Sequence, residues 1–119
     1  MKTSIVTVCA VFAMVMVVAA AAITGTWEVE AYFDDDRNEA GGFDCVFNQD
    51  AERLNGACSD GTVALTGQIN GQTVTWRIVS GGNAPVTTTF TGTLNEAGTR
   101  MEGRFSSNEK VGSFRAVRQ

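Results

Sequence analysis

The sequence predicts an all-β domain: eight antiparallel strands in an up-and-down meander, closed into a barrel and preceded by an N-terminal signal-peptide helix over residues 1–22. Three observations predict it. From residue 23 onward apolar and polar residues alternate with period two, and no stretch repeats with a helical period. Clusters of Gly, Asn and Asp interrupt the alternation where hairpin turns would fall. Each strand has one apolar face and one face of Thr, Arg, Asn and Glu, so the sheet must hide a single face and both of its edges.

The chain has 119 residues, enough for one domain after the leader. Lys2 gives a positive start. Ile5 to Ala22 is almost wholly apolar, interrupted by Thr7 and Cys9, and ends in four alanines. That is the layout of a secretory signal peptide, with cleavage expected after Ala22. The run is also long enough, at about 20 residues, for an uncleaved membrane anchor. Both readings export residues 23–119, to the periplasm or outside the cell. Lys2 is the only charge in the leader, so the domain is more acidic than the whole-chain net charge of −4. An acidic surface repels nucleic acid and anionic lipid, and neither is an expected partner. The absence of histidine removes the commonest general base and metal ligand. No enzyme activity and no cofactor are expected, because Ser–His and Cys–His pairs are impossible and no inward carboxylates pair.

The first strand, near 24–33, sets Trp27, Val29, Ala31 and Phe33 on one face and Glu28, Glu30 and Tyr32 on the other. The second and third, near 43–49 and 53–58, turn at Asp50-Ala51-Glu52-Arg53. If Gln49 faces Leu54, then Phe47 faces Gly56, and Cys45 faces Cys58 on the inward side. In an oxidising compartment this pair reads as a disulfide, and closing the loop between the cysteines adds ~3 kcal/mol by loop entropy. The fourth and fifth strands, near 62–69 and 72–80, meet at Asn70-Gly71, the strongest short hairpin signal. Centring the turn there sets Gly67 opposite Val74, Leu65 opposite Trp76 and Val63 opposite Ile78. The sixth strand, near 86–94, starts beside Pro85, where a missing donor costs least. The last two lie near 99–106 and 111–118. Only the link over 34–42 is long.

A short pattern recurs along these strands: Leu54-Asn55-Gly56, Leu65-Thr66-Gly67, Phe90-Thr91-Gly92 and Met101-Glu102-Gly103. Each puts a glycine on the inward face, two residues from a large apolar side chain. Small barrels need such kinks to close, and the missing side chains leave room for tryptophan rings. The acidic link carries Asp34, Asp36 and Asn38 at the alternate spacing of a calcium loop. Position six of that loop is Glu39 rather than glycine, and position twelve is Cys45 rather than glutamate. A solvated acidic loop is the competing reading.

Gly25-Thr26-Trp27 opening a first strand, with seven meander strands after it, resembles the lipocalin and avidin group of up-and-down barrels. The resemblance implies that Trp27 plugs one end of the barrel and that an arginine of the last strand lies over it, Arg115 and Arg118 being the candidates. It implies a ligand-binding barrel without naming the ligand. The chain also resembles the small periplasmic protease inhibitors of bacteria, barrels with an early Gly-x-Trp and one disulfide, which block their enzyme with a segment preceding the barrel.

Two function classes follow. One is an exported binding module for a small apolar or aromatic molecule, lined by Trp27, Trp76, Phe90 and Phe105, with Arg115 from the resemblance. The other is a structural or protein-interaction module of the cell envelope, protease inhibition included. They divide on whether the inward rings line a pocket or fill a core; an eight-stranded barrel is wide enough for either.

Overall fold

The computed structural model describes residues 22–36 and 39–119. Asn38 and residues 1–21 of the expected signal peptide lie outside the described residues. Eight strands run in order: β1 (Gly25–Phe33), β2 (Glu39–Asp50), β3 (Arg53–Cys58), β4 (Val63–Asn70), β5 (Thr73–Ser80), β6 (Val86–Leu94), β7 (Arg100–Ser107) and β8 (Lys110–Arg118). Each pairs with its neighbours in sequence, and β1 pairs antiparallel with β8, so the barrel is closed. No helix among the described residues is long and apolar enough to cross a membrane.

The alternation sorts the residues as the pattern requires. Trp27, Val29, Ala31, Phe47, Leu54, Leu65, Val74, Trp76, Phe90, Met101 and Phe114 are buried, and no polar or charged residue is buried among them. The opposite faces present Glu28, Thr66, Arg77, Thr91, Glu102, Arg104 and Arg115 to solvent, with Thr75 and Thr89 half-buried between them. A wall of this polarity cannot face lipid, since membrane barrels carry the apolar face outward. Cys45 and Cys58 stand directly opposite each other in the β2–β3 ladder and form the disulfide, with a Cα–Cα distance of 4.0 Å.

The barrel is strongly staggered. One hydrogen-bonded row passes from Gln49 through Leu54, Gly67, Trp76, Phe90, Phe105 and Gly112 to Phe33. It leaves β2 at one end of the barrel and arrives on β1 at the other. Such stagger tilts the strands against the axis and fixes the width of the interior.

Glycines make the tilt possible. A Cβ added to Gly56, Gly67, Gly103 or Gly112 would strike the backbone oxygen of Val46, Thr75, Thr91 or Tyr32 respectively. At Gly67 it would also come within 2.8 Å of the Trp76 Cβ, and at Gly112 within 2.6 Å of the Phe105 ring.

Two expectations are corrected. The β4–β5 turn is centred on Gly71-Gln72: Asn70 pairs with Thr73, Gly67 with Trp76 and Leu65 with Ile78. Gly71 has φ 61° and Gln72 is not among the positive-φ residues, a pattern in which glycine is needed only at the first central position. The two-residue shift keeps every side chain on its face. It wins by setting the bulky Trp76 beside Gly67 rather than beside Leu65. The second correction is that β2 begins at Glu39, not near residue 43. Gly41 and Gly42 read as loop in the sequence, yet they pair with Ala31 and Glu30, and a bulge between Ala31 and Tyr32 absorbs the irregularity.

Candidate functional site

The two ends of the barrel differ. At the end where β1 begins, Trp27 is fully buried. Its indole Nε1 donates to the Ile23 carbonyl at 2.8 Å, and the Arg118 guanidinium lies 4.9 Å from the ring centroid. Ile23, Leu54, Ile69, Leu94 and Met101 complete a dry floor. Trp27 is therefore a plug. The arginine over it is Arg118; Arg115 is not. Phe114 and Ala116 of β8 point inward, so parity sends Arg115 out and returns Arg118 in.

On the outer wall Arg115 Nε donates to Glu30 Oε2 at 2.8 Å, and the Tyr32 hydroxyl donates to the same oxygen at 3.1 Å. Arg115 thus stands apart from the other residues expected to line a pocket. The Arg115 hydrogen bond, helped by that of Tyr32, holds the Glu30 carboxyl below its ordinary range, and exposure to water limits what this adds to stability. A depressed carboxylate contributes above its unfolded pKa and loses that contribution as pH falls through the folded value. Side-chain NMR titration should find Glu30 titrating below the ordinary glutamate range, and Arg115→Gln should move it back up. An unchanged midpoint in the variant would contradict the pairing.

Above the floor the interior is a connected chain of rings. Phe47 stands edge-on to both Trp27, at 6.4 Å, and Trp76, at 5.2 Å. Trp76 stacks on Phe90 with centroids 3.9 Å apart and planes 8° from parallel. Phe90 leads to Phe105 at 5.7 Å, and Phe105 to Phe33 at 5.4 Å. Phe114 closes edge-on against Trp76 and Phe90 at 5.9 and 5.2 Å. Trp76, Phe90, Phe105 and Phe33 share the staggered row described above, which is why their rings climb together from mid-barrel to the far end.

That far end is less closed. Phe33, Phe43, Val63 and Ile78 pack on the core but are only partly buried. The Thr88 hydroxyl donates to Ser107 Oγ at 3.0 Å there, and Lys110 Nζ lies 5.2 Å above the Phe33 ring. Among the described residues this apolar mouth carries the Thr88–Ser107 hydroxyl pair and Lys110.

Among the described residues one buried side-chain polar atom is unsatisfied. Trp76 is 1% exposed, and its Nε1 has no hydrogen-bond partner among the described residues. The rings around it offer a donor no more than the weak attraction of an aromatic face. A buried orphan donor costs about 1–3 kcal/mol, and an acceptor brought to it recovers that cost. No sequence pattern flags it, because the alternation says only that Trp76 points inward.

The described grooves lie on the outer wall. The roomiest, about 580 Å³, is lined by Tyr32, Phe33, Asp34 and Ser113 beside the mouth. There the Arg104 guanidinium grips both Asp34 oxygens, through Nη1 at 2.8 Å and through Nη2, and also donates to Ser113 Oγ at 3.0 Å. Asp34 thus already carries a cation where the calcium reading requires one, and among the described residues no three His, Cys, Asp or Glu side chains gather as a metal group.

Fold and interior together define a class: a closed, eight-stranded up-and-down barrel filled with aromatic rings. No protein family and no curated protein sequence matches the chain. Solved structures do. A redesigned β-barrel, b11L5F_LGL, superimposes with a TM-score of 0.62 at 15% identity, over 84% of this chain and 94% of that one. The redesigned barrels mFAP1 and mFAP0, each bound to DFHBI, give TM-scores of 0.57 and 0.54, both at 15% identity. They cover 84% and 82% of this chain and 98% of their own. At this identity the likeness is one of fold.

Proposed function

We propose that this chain is an exported, non-enzymatic binding barrel of lipocalin or avidin type. It takes a small, flat, apolar or aromatic molecule through the Phe33–Phe43 mouth. The carrying observation is the Trp76 Nε1, unpartnered among the described residues, at the foot of a ring stack that leads to the end where Phe33 and Phe43 are only partly buried. A flat molecule with a carbonyl or phenolate oxygen offers what this interior lacks, an acceptor for that donor. It enters by displacing rings, and Phe33 and Phe43 are the rings least held by burial. Two barrels of similar fold are bound to DFHBI, which supports the reading by analogy. Export is supported by the apolar leader and by a buried disulfide of the kind that persists in oxidising compartments.

Tryptophan fluorescence tests the reading. DFHBI and a set of flat carbonyl and phenolate compounds are titrated into the folded chain, its Trp76→Phe variant and its Trp27→Phe variant. Saturable quenching of blue-shifted emission is expected, kept in Trp27→Phe and lost in Trp76→Phe. Emission that nothing perturbs sinks the reading and turns the search to a protein partner on the outer wall, where Tyr32, Arg104 and Arg115 lie together.

A further inference from the structure

The residues just before β1 do not hang free. Ile23 is fully buried in the floor. Its backbone N–H donates to Gln49 Oε1 at 3.0 Å, and its carbonyl accepts from Trp27 Nε1 at 2.8 Å. The Thr24 hydroxyl oxygen accepts from the Gln49 backbone N–H at 3.0 Å. Arg118 then ties the segment down with every arm. Its Nε donates to the Gly98 carbonyl at 2.9 Å, Nη1 to the Thr24 carbonyl at 2.5 Å and Nη2 to the Ala22 carbonyl at 2.5 Å. The peptide bond joining Ala22 to Ile23 is thus held from both sides, its oxygen by Arg118 and its N–H by Gln49.

We propose that Ala22 is part of the finished domain, and that removal of the leader stops before it rather than after it. The inference rests on the export reading. The leader's layout sets the expected cut after Ala22, but the alanine run supplies small residues for a peptidase at earlier positions too. The fold distinguishes the products. Hydrolysis adds water across a peptide bond, leaving a carboxylate on the released leader and an ammonium on the first residue of the domain. A cut between Ala22 and Ile23 puts that ammonium on a fully buried residue. Its described partner is a neutral amide oxygen, and the Arg118 guanidinium beside it has just lost the Ala22 carbonyl. Two like charges then meet at the edge of the floor, where the ammonium on Ile23 has no counter-charge among its described partners. A cut before Ala22 puts the ammonium on an exposed residue and leaves the ties intact.

The full chain, expressed with its own leader in an exporting bacterial host, is recovered from the periplasm or medium and weighed intact. The expected mass begins at Ala22 or at an earlier alanine. A mass beginning at Ile23 overturns the inference while leaving export standing. A chain retained with its leader uncut overturns the inference and the signal-peptide reading together. A second measurement uses folded chains released from a common fusion to begin at Ala22 or at Ile23. The Ile23 chain is expected to melt several degrees lower and to respond less to Arg118→Lys; identical melting overturns the proposal.

Discussion

Trp76→Ala is expected to cost the barrel about 3–5 kcal/mol, and Trp76→Phe no more than about 1 kcal/mol in either direction. Alanine removes the ring that stacks on Phe90 at 3.9 Å and against which Phe47 and Phe114 stand edge-on, so three neighbours lose their contact at once. The hole cannot collapse, because these rings hang from a closed ladder. Against a total stability of about 5–15 kcal/mol for a domain, the loss brings the fold near its threshold. Phenylalanine leaves a smaller hole, and it also deletes the buried N–H that has no partner. These two effects oppose each other. Guanidinium unfolding followed by far-ultraviolet circular dichroism measures both variants. If Trp76→Phe costs as much as Trp76→Ala, the indole N–H has a partner in solution and the proposed binding role loses its support.

Replacing Cys45 and Cys58 together by alanine is expected to cost about 3 kcal/mol, since the unfolded chain regains the freedom of the loop between them. The two sulfurs belong to residues that are 0% and 1% exposed, at the inner face of the β2–β3 ladder. Reductant therefore reaches them only when the barrel opens. Native protein in dithiothreitol should keep its disulfide for as long as it stays folded, and lose it promptly at denaturant concentrations near the unfolding midpoint. Quenched alkylation and mass spectrometry read the free thiols. Rapid reduction under native conditions would mean that this hairpin opens locally, without the rest of the barrel.

Where local chemistry decides, the sequence was legible. Period two separated inside from outside along the described strands, because a barrel interior packed with side chains admits no polar face. Counting back from the Asp50–Arg53 turn placed Cys45 opposite Cys58, because antiparallel register is arithmetic once the turn is fixed. The register at Asn70-Gly71 was not legible. Two turn positions keep the same faces, and only the contact between Trp76 and Gly67, made across strands, separates them. Arg118 could have been chosen over Arg115 by parity with Phe114 and Ala116. Gly112 could have joined the inward glycines, because Phe114 stands two residues on. The ties on Ala22, Ile23 and Thr24 had no signal: Gln49 and Arg118 lie far along the chain, and nothing local announces that their side chains turn back to the barrel's beginning. The orphan Trp76 N–H is of the same kind, a property of everything that surrounds it.

The barrel is a closed ring of strands with a single break in its covalent thread, and that break falls at the floor. Gln119 donates its backbone N–H to the Thr26 carbonyl at 2.9 Å, so the two ends of the domain are laced side by side. Pairing β1 with β8 joins the most distant parts of the chain, and such long-range closure is a slow step in folding. A circular permutant would change that order. Bridging Gln119 to Ala22 with a few glycines and opening the chain at Gly82 turns the β8–β1 seam into an ordinary hairpin and makes β5 and β6, which carry Trp76 and Phe90, the last strands to meet. The same eight strands would then zip shut at the ring stack instead of at the plug.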